Sequence, residues 1–205
     1  MDWLEKMVWW GAGLTRLAPI RRQVKRSRNR IQMVANISAL QIRRLETSDA
    51  ALYRDIRLEA LKRNPEAFGS TFEREDAQPL SWFEAAVGRA DIFGAFLDGT
   101  LAGIAGYAAR ESSKQAHKAL LWGMYVRTAA RNAGLGRRLV GAVLDHARGR
   151  VEMVQLTVVS ENEAARRLYR ALGFVEFGYE KRALKQAGRY YDEVLMVKFL
   201  DEGLS

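Results

Sequence analysis

Hydrophobic and polar positions along residues 41–205 change period repeatedly, and this predicts strands interleaved with helices. Residues 41–45, QIRRL, make a short strand candidate. Ser48 is placed to cap a helix over about 49–63, where Leu52, Tyr53, Ile56, Ala60 and Leu61 form one apolar stripe. Asn64-Pro65 stops it, since the residue before proline is driven out of helical backbone. Ser81 with Glu84 has the spacing of a capping box and opens a second short helix, WFEAAV. Residues 92–97 and 101–109 are apolar runs around Asp98-Gly99, a hairpin signal. A polar loop spans 111–118.

Residues 119–126, ALLWGMYV, are one unbroken apolar run of strand length, which predicts a central strand. A glycine-containing loop covers 127–136, and a helix follows over about 136–148 with Leu139, Val140, Val143, Leu144 and Ala147 on one face. Residues 153–159 are a β-branched strand. Ser160 with Glu163 forms another capping-box spacing; the helix it opens carries Ala165, Leu168, Tyr169 and Leu172, and Gly173 closes it. Strands over about 175–184 and 190–199 flank a turn at 185–188. The strand–loop–helix–strand order at 119–159 requires a right-handed parallel crossover, while the hairpins at either end add antiparallel strands. The expected fold is α/β with α+β character: a mixed, mostly antiparallel sheet, a parallel central pair at 119–126 and 153–159, and helices on both faces.

Composition narrows the chemistry. The chain has 205 residues with 48% hydrophobic content, enough for one large domain or a domain with an appendage. Zero cysteine removes disulfides, thiol nucleophiles and thiolate metal sites, and suits a reducing, cytoplasmic setting. Only His117 and His146 are present, so no metal site is expected. No stretch reaches the roughly 18 apolar residues of a membrane span.

The net charge of +9 is unevenly placed: residues 1–40 carry +6 and the rest +3. Trp3, Trp9 and Trp10 precede Arg16, Arg21, Arg22, Lys25, Arg26, Arg28 and Arg30. The basic residues follow the apolar ones, which is the wrong order for a secretory signal. Membrane contact of residues 1–30 and a nucleic-acid arm are both conceivable. The preferred reading is a dispensable extension with Met33 as an alternative start, so deletion of 1–32 should leave catalysis intact. No nucleic-acid partner is expected. The domain plan is therefore a basic Trp/Arg-rich extension at 1–40, one globular domain at 41–200 and a short tail at 201–205.

Between the central strand and its helix lie Arg131, Asn132, Ala133, Gly134, Leu135, Gly136, Arg137 and Arg138. Glycines allow close approach of backbone to a ligand, and the helix start offers unpaired N–H groups and a positive dipole end. Such a loop cradles phosphate. A P-loop would need Gly-Lys-Ser/Thr, and a dinucleotide fingerprint would need glycine where Leu139 stands.

The stretch GMYVRTAARNAGLGRRLVGAVLDHA resembles the signature of the GNAT family, the N-acetyltransferases that use acetyl-coenzyme A. Arg131, Gly134 and Gly136 match its Arg/Gln-x-x-Gly-x-Gly/Ala pattern. Asn162, Ala165, Leu168, Tyr169 and Gly173-Phe174 match its second element, Asn-x-x-Ala-x-x-Leu-Tyr-x-x-x-Gly-Phe. The resemblance covers about residues 41–200 and is weakest over 64–90.

The resemblance implies a GNAT-like fold with acetyl-coenzyme A as co-substrate and no metal. It implies that backbone N–H groups of Arg131, Asn132, Ala133, Gly134, Leu135, Gly136 and Arg137 hold the pyrophosphate. Main-chain groups of Met124 and Val126 would hold the pantetheine arm where the two central strands splay. A main-chain donor at Met124 would polarise the thioester carbonyl, a contribution of about 3 kcal/mol. Asn162 would bind the coenzyme arm or a linked water, and Tyr169 would act as general acid to the leaving thiolate.

The family often places a Glu on the central strand, and ALLWGMYV has none. Ordered water, Glu73, Glu75 and His117 are the alternative bases. Trp122 and Tyr125 have opposite strand parity, so at most one should face the acceptor groove. Tyr190, Tyr191, Asp192 and Glu193 would line that groove and suit a cationic amine, either a small molecule or a protein. A homodimer is common in the family. The expected activity is direct transfer of acetyl to a primary amine in a ternary complex. The rival readings are an acyl-coenzyme A-binding module without turnover and an adaptor using the basic N-terminus.

Overall fold

The computed structural model describes residues 40–200. The basic, tryptophan-bearing stretch ahead of them and the tail at 201–205 lie outside the described residues. Leu40, assigned to the extension on sequence, opens the first strand. The chain runs β1 (Leu40–Arg44), α1 (Ala50–Arg63), α2 (Phe72–Asp76), α3 (Leu80–Arg89), β2 (Asp91–Leu97), β3 (Thr100–Ala109) and β4 (Lys118–Val126). It continues through α4 (Leu135–Ala147), β5 (Met153–Val159), α5 (Glu163–Arg170), β6 (Val175–Gln186) and β7 (Arg189–Phe199). The seven strands form one sheet in the order β1-β2-β3-β4-β5-β7-β6.

Every neighbouring pair is antiparallel except β4–β5. That parallel pair is short. It joins Lys118, Ala119 and Leu120 to Met153, Val154 and Gln155, and stops. Residues 121–126 and 156–159 run on without pairing to each other. The sheet is therefore open at its centre, beside the C-terminal end of β5.

Two apolar layers cover the sheet. On one face Leu139, Val140 and Val143 of α4, with Ala165 and Tyr169 of α5, pack on Leu121, Met124, Val154, Leu156 and Val158. On the other, Tyr53 and Ile56 of α1 and Phe83 and Val87 of α3 pack on Leu120, Trp122, Tyr125 and Val159. Trp122 and Tyr125 thus lie on the same face, against the parity expectation. The cause is a bulge: Gly123 adopts φ 62°, and the β3–β4 register shifts between Ile104 and Gly106. One extra residue flips every side chain after it to the other face. Gly106 makes room for the indole, since a Cβ there would sit 2.3 Å from Trp122 Cε2.

Three expected caps are replaced. Ser48 lies within a turn at Thr47–Asp49, which Glu46 caps reciprocally with Asp49. Pro79, not Ser81, precedes α3. Asn162, not Ser160, caps α5, its Oδ1 accepting from Ala165 N–H at 3.2 Å. Spacing alone favours serine, whereas asparagine caps equally well two residues later. In α1, Leu52 is 43% exposed and Arg57 is 2% exposed. The inward place goes to Arg57 because its guanidinium forks onto Glu75 of α2, at 2.8 Å and 2.7 Å.

Candidate active site

Gly134 is the N-cap of α4 with φ 77°, and no heavy atom lies within 4 Å of where a Cβ would stand. Asn132 also has positive φ, 64°. The first helical bond runs from Arg138 N–H to the Gly134 carbonyl at 3.2 Å. The N–H groups of Leu135, Gly136 and Arg137 come before it, so the helix itself offers them no carbonyl. Leu135 and Gly136 are buried, while Asn132, Ala133, Gly134 and Arg137 are exposed. The arginines brace the loop. Arg131 Nε donates to the Val126 carbonyl at 3.0 Å, and Arg137 Nη2 to the Ala171 carbonyl at 3.3 Å. One lone pair of the Val126 carbonyl is thus already engaged.

Met124 lies in the unpaired part of β4, at the central opening. Asn162 and Tyr169 lie in the crossover after β5, and both carry buried polar atoms without a partner: Asn162 Nδ2 and the Tyr169 hydroxyl. Asn162 Oδ1 is spent on the cap, which leaves the amide N–H₂ for something else. Tyr169 has no exposed surface and sits edge-to-face on Phe174, ring centroids 5.7 Å apart. Burial pushes its phenol far above the usual value, so it stays protonated and keeps a proton to donate. A buried hydroxyl without a partner costs about 1–3 kcal/mol. These two orphans, with the open space over Gly134, fit an acetyl-coenzyme A molecule lying along the opening.

The three nominated bases are placed elsewhere or occupied. Glu75 is locked to Arg57, both 2–3% exposed by side chain. Glu73 is exposed on α2. His117 precedes β4 at the paired end, where its carbonyl accepts from Glu152 and Met153 N–H groups. The last hairpin divides by parity. Tyr190 is exposed, with Arg182 and Lys185 over its ring. Asp192 accepts from the Arg182 N–H and the Tyr179 hydroxyl, each at 2.7 Å, and these hold its carboxyl below the ordinary range. Tyr191 and Glu193 turn to the α1/α3 face, and Glu193 is 1% exposed.

Sequence reasoning missed Glu59 of α1. It accepts from the Tyr125 hydroxyl and from Arg127 Nε, each at 2.9 Å. Burial first, and that carboxylate second, push Tyr125 up to about 12. No local pattern signals this contact, because 66 residues separate Glu59 from Tyr125.

A split parallel pair, a helix start with unpaired N–H groups and a protonated buried phenol together suit acyl transfer. The chain belongs to the acetyltransferase (GNAT) family, whose model matches residues 53–174. It is an acetyl-coenzyme A-dependent N-acetyltransferase. It is 34% identical over 119 residues to the N-alpha-acetyltransferase RimI of Mycobacterium tuberculosis, covering 58% of this chain and 68% of that protein. A GNAT-family acetyltransferase from Streptococcus pneumoniae superposes with a TM-score of 0.69 at 27% identity, over 78% of this chain and 99% of that one. The ribosomal-protein-alanine N-acetyltransferase from Brucella melitensis gives 0.66 at 25% identity, over 78% and 99%.

Proposed function

We propose that this enzyme acetylates the α-amine at the N-terminus of a protein or peptide, by direct attack of that amine on acetyl-coenzyme A within one ternary complex. The wholly buried, partnerless Tyr169 hydroxyl carries the catalytic part of this reading. Similarity to RimI and to the ribosomal-protein-alanine enzyme supports the acceptor.

In this reading the backbone N–H groups of Arg131, Asn132, Ala133, Gly134, Leu135, Gly136 and Arg137 receive the pyrophosphate, with α4's positive dipole end behind them. Met124 and Val126 hold the pantetheine arm through their main chain, and Asn162 Nδ2 donates to it. The amine lone pair forms the new C–N bond as the C–S bond breaks, and Tyr169 gives its proton to the departing sulfur. With zero cysteine there is no thiol to carry the acetyl group first. Residues 40–200 suffice for this chemistry, and the basic stretch at 1–32 is dispensable. The setting is cytoplasmic. Among the described residues no helix is long and apolar enough to cross a membrane.

The test is acetylation of a peptide that begins with alanine and contains an internal lysine. Mass spectrometry is expected to place the acetyl group on the α-amine, and initial rates against both substrates should give intersecting lines. Acetyl on lysine alone overturns the acceptor; parallel lines overturn direct attack.

A further inference from the structure

Val126 ends β4 at the central opening, and the sheet holds it there from one side only. Pairing to β5 stops at Leu120. On the β3 side the register passes from Gly106–Trp122 to Ile104–Tyr125 across the bulge at Gly123, and ends at Gly103–Val126. A second hold on this strand end comes from α1. Glu59, in the last turns of that helix, spreads one carboxylate over the two residues that flank Val126. Its Oε1 accepts from the Tyr125 hydroxyl and its Oε2 from Arg127 Nε, each at 2.9 Å.

The anchors continue outward. Arg127 Nη1 donates to the Leu101 carbonyl at 2.9 Å, so its guanidinium ties α1 to β3; its main-chain N–H donates to the Ala102 carbonyl at 2.8 Å. Arg131 Nε donates to the Val126 carbonyl at 3.0 Å, and its guanidinium carbon lies 5.9 Å from the Tyr125 ring centroid. Helix α1, the end of β4 and the start of the glycine loop thus form one connected set, and Glu59 is the member that reaches both flanks of Val126. Tyr125 is wholly buried, and its phenol, pushed up to about 12, stays protonated and keeps donating. Folding stability is a poor account of this arrangement. The Glu59 and Arg127 side chains are 27% and 30% exposed, and ion pairs so wetted add little to stability. Direction is a better one, because a misplacement of about 1 Å at a reacting group can cost about 10²-fold in rate.

Resting on the reading that the main chain of Met124 and Val126 holds the coenzyme arm, we propose that Glu59 is a positioning residue for acyl transfer. Acting through Tyr125 and Arg127, it aims the end of β4, and with it the thioester carbonyl.

The experiment measures kcat on the peptide that begins with alanine, coenzyme A binding by calorimetry, and urea midpoints. It also follows the amide resonances of Met124, Val126 and Gly136 with and without coenzyme A. Glu59→Ala should lower kcat by about 10- to 100-fold, with coenzyme A affinity changed only a few-fold and the urea midpoint close to wild type. Coenzyme A should move all three resonances in the wild type. In Glu59→Ala it should move Gly136 as before, and Met124 and Val126 less. Glu59→Gln should restore kcat to within a few-fold, since its amide can accept from Arg127 and donate to the Tyr125 oxygen. The double variant Glu59→Ala, Tyr125→Phe should lose no more than Glu59→Ala alone, because the second change removes a link already broken.

A kcat within about two-fold of wild type in Glu59→Ala, equal losses in the Ala and Gln variants, or losses that multiply in the double variant overturn the proposal. If Glu59→Ala does not fold, Tyr125→Phe carries the test: a several-fold fall in kcat at an unchanged urea midpoint is expected, and no fall overturns. Wild-type enzyme inert toward the peptide removes the acceptor reading, and the resonances then decide: wild-type responses of Met124 and Val126 in Glu59→Ala overturn the proposal. Met124 and Val126 unmoved by coenzyme A in the wild type remove the reading of β4, and the proposal with it.

Discussion

Along β4, α4, β5 and α5, the groups assigned to the coenzyme come from one contiguous stretch, Met124 to Tyr169, and most are main-chain N–H groups. Across the sheet, the face proposed for the acceptor is assembled from α1, α2, β5, β6 and β7, and its polar groups are side chains joined over long sequence distances. Arg57 meets Glu75, Tyr125 meets Glu59, and Thr157 meets Glu193. The first region needs only correct local backbone. The second needs the whole sheet in register. A binding loop made of backbone tolerates varied side chains, so one coenzyme can be kept while the acceptor face changes.

The sharpest division between the faces is Tyr169→Phe. Its ring keeps the edge contact to Phe174, and only the orphaned hydroxyl is lost. The expected result is a fall in kcat of about 10²- to 10⁴-fold with acetyl-coenzyme A affinity nearly unchanged. An unchanged kcat would make the residue a packing aromatic.

On the acceptor face, Arg57→Met leaves Glu75 buried and unpaired. Stability should drop by about 3–5 kcal/mol, read as the urea midpoint. The double variant Arg57→Met, Glu75→Leu should recover most of it, because two apolar side chains fill the space without a stranded charge. If the single variant is neutral, the fork is not holding α2.

Gly134→Glu strikes the coenzyme loop. It forces a side chain into left-handed backbone and places a carboxylate where phosphate is read to bind. Acetyl-coenzyme A at 100 times its dissociation constant should stabilise the wild type by about 2.7 kcal/mol. A folded variant should show no thermal shift with the same ligand; a retained shift refutes the loop assignment.

The smallest effect is alkaline. Burial raises Tyr53 to about 12, Tyr125 to about 12 and Tyr169 further still. These phenols ionise more easily when unfolded, at about 10. Folding stability they contribute is whole below about pH 10 and is lost as pH rises past it. Thermal midpoints should fall across that window, and Tyr169→Phe should soften the decline more than Tyr125→Phe. Identical slopes in both variants would contradict the difference in burial.

The two glycine-and-asparagine motifs, the hairpin at Asp98-Gly99 and the parallel crossover were legible because each depends on neighbours within one turn or one strand. Positive φ at Gly134 and the cap at Asn162 are local events as well, although the cap was first given to Ser160. The β4 bulge was not legible. A glycine inside an apolar run reads as ordinary strand, and only pairing with β3 shows that Gly123 takes the extra position. That single residue put Tyr125 on the α1/α3 face beside Glu59. The same holds for Arg57, whose charge reads as solvent-facing until Glu75 meets it. Glu193 was legible as an acid of the last hairpin expected to line the acceptor groove; its burial opposite Val159 and Glu180 came from the order β5-β7-β6. Sequence by itself determined the backbone-made half of the enzyme, since hydrogen-bonding patterns within a segment follow from that segment. The tertiary structure alone decided which carboxylates are buried and which side chains they meet, since burial and charge pairing belong to surfaces that strands far apart in sequence create together.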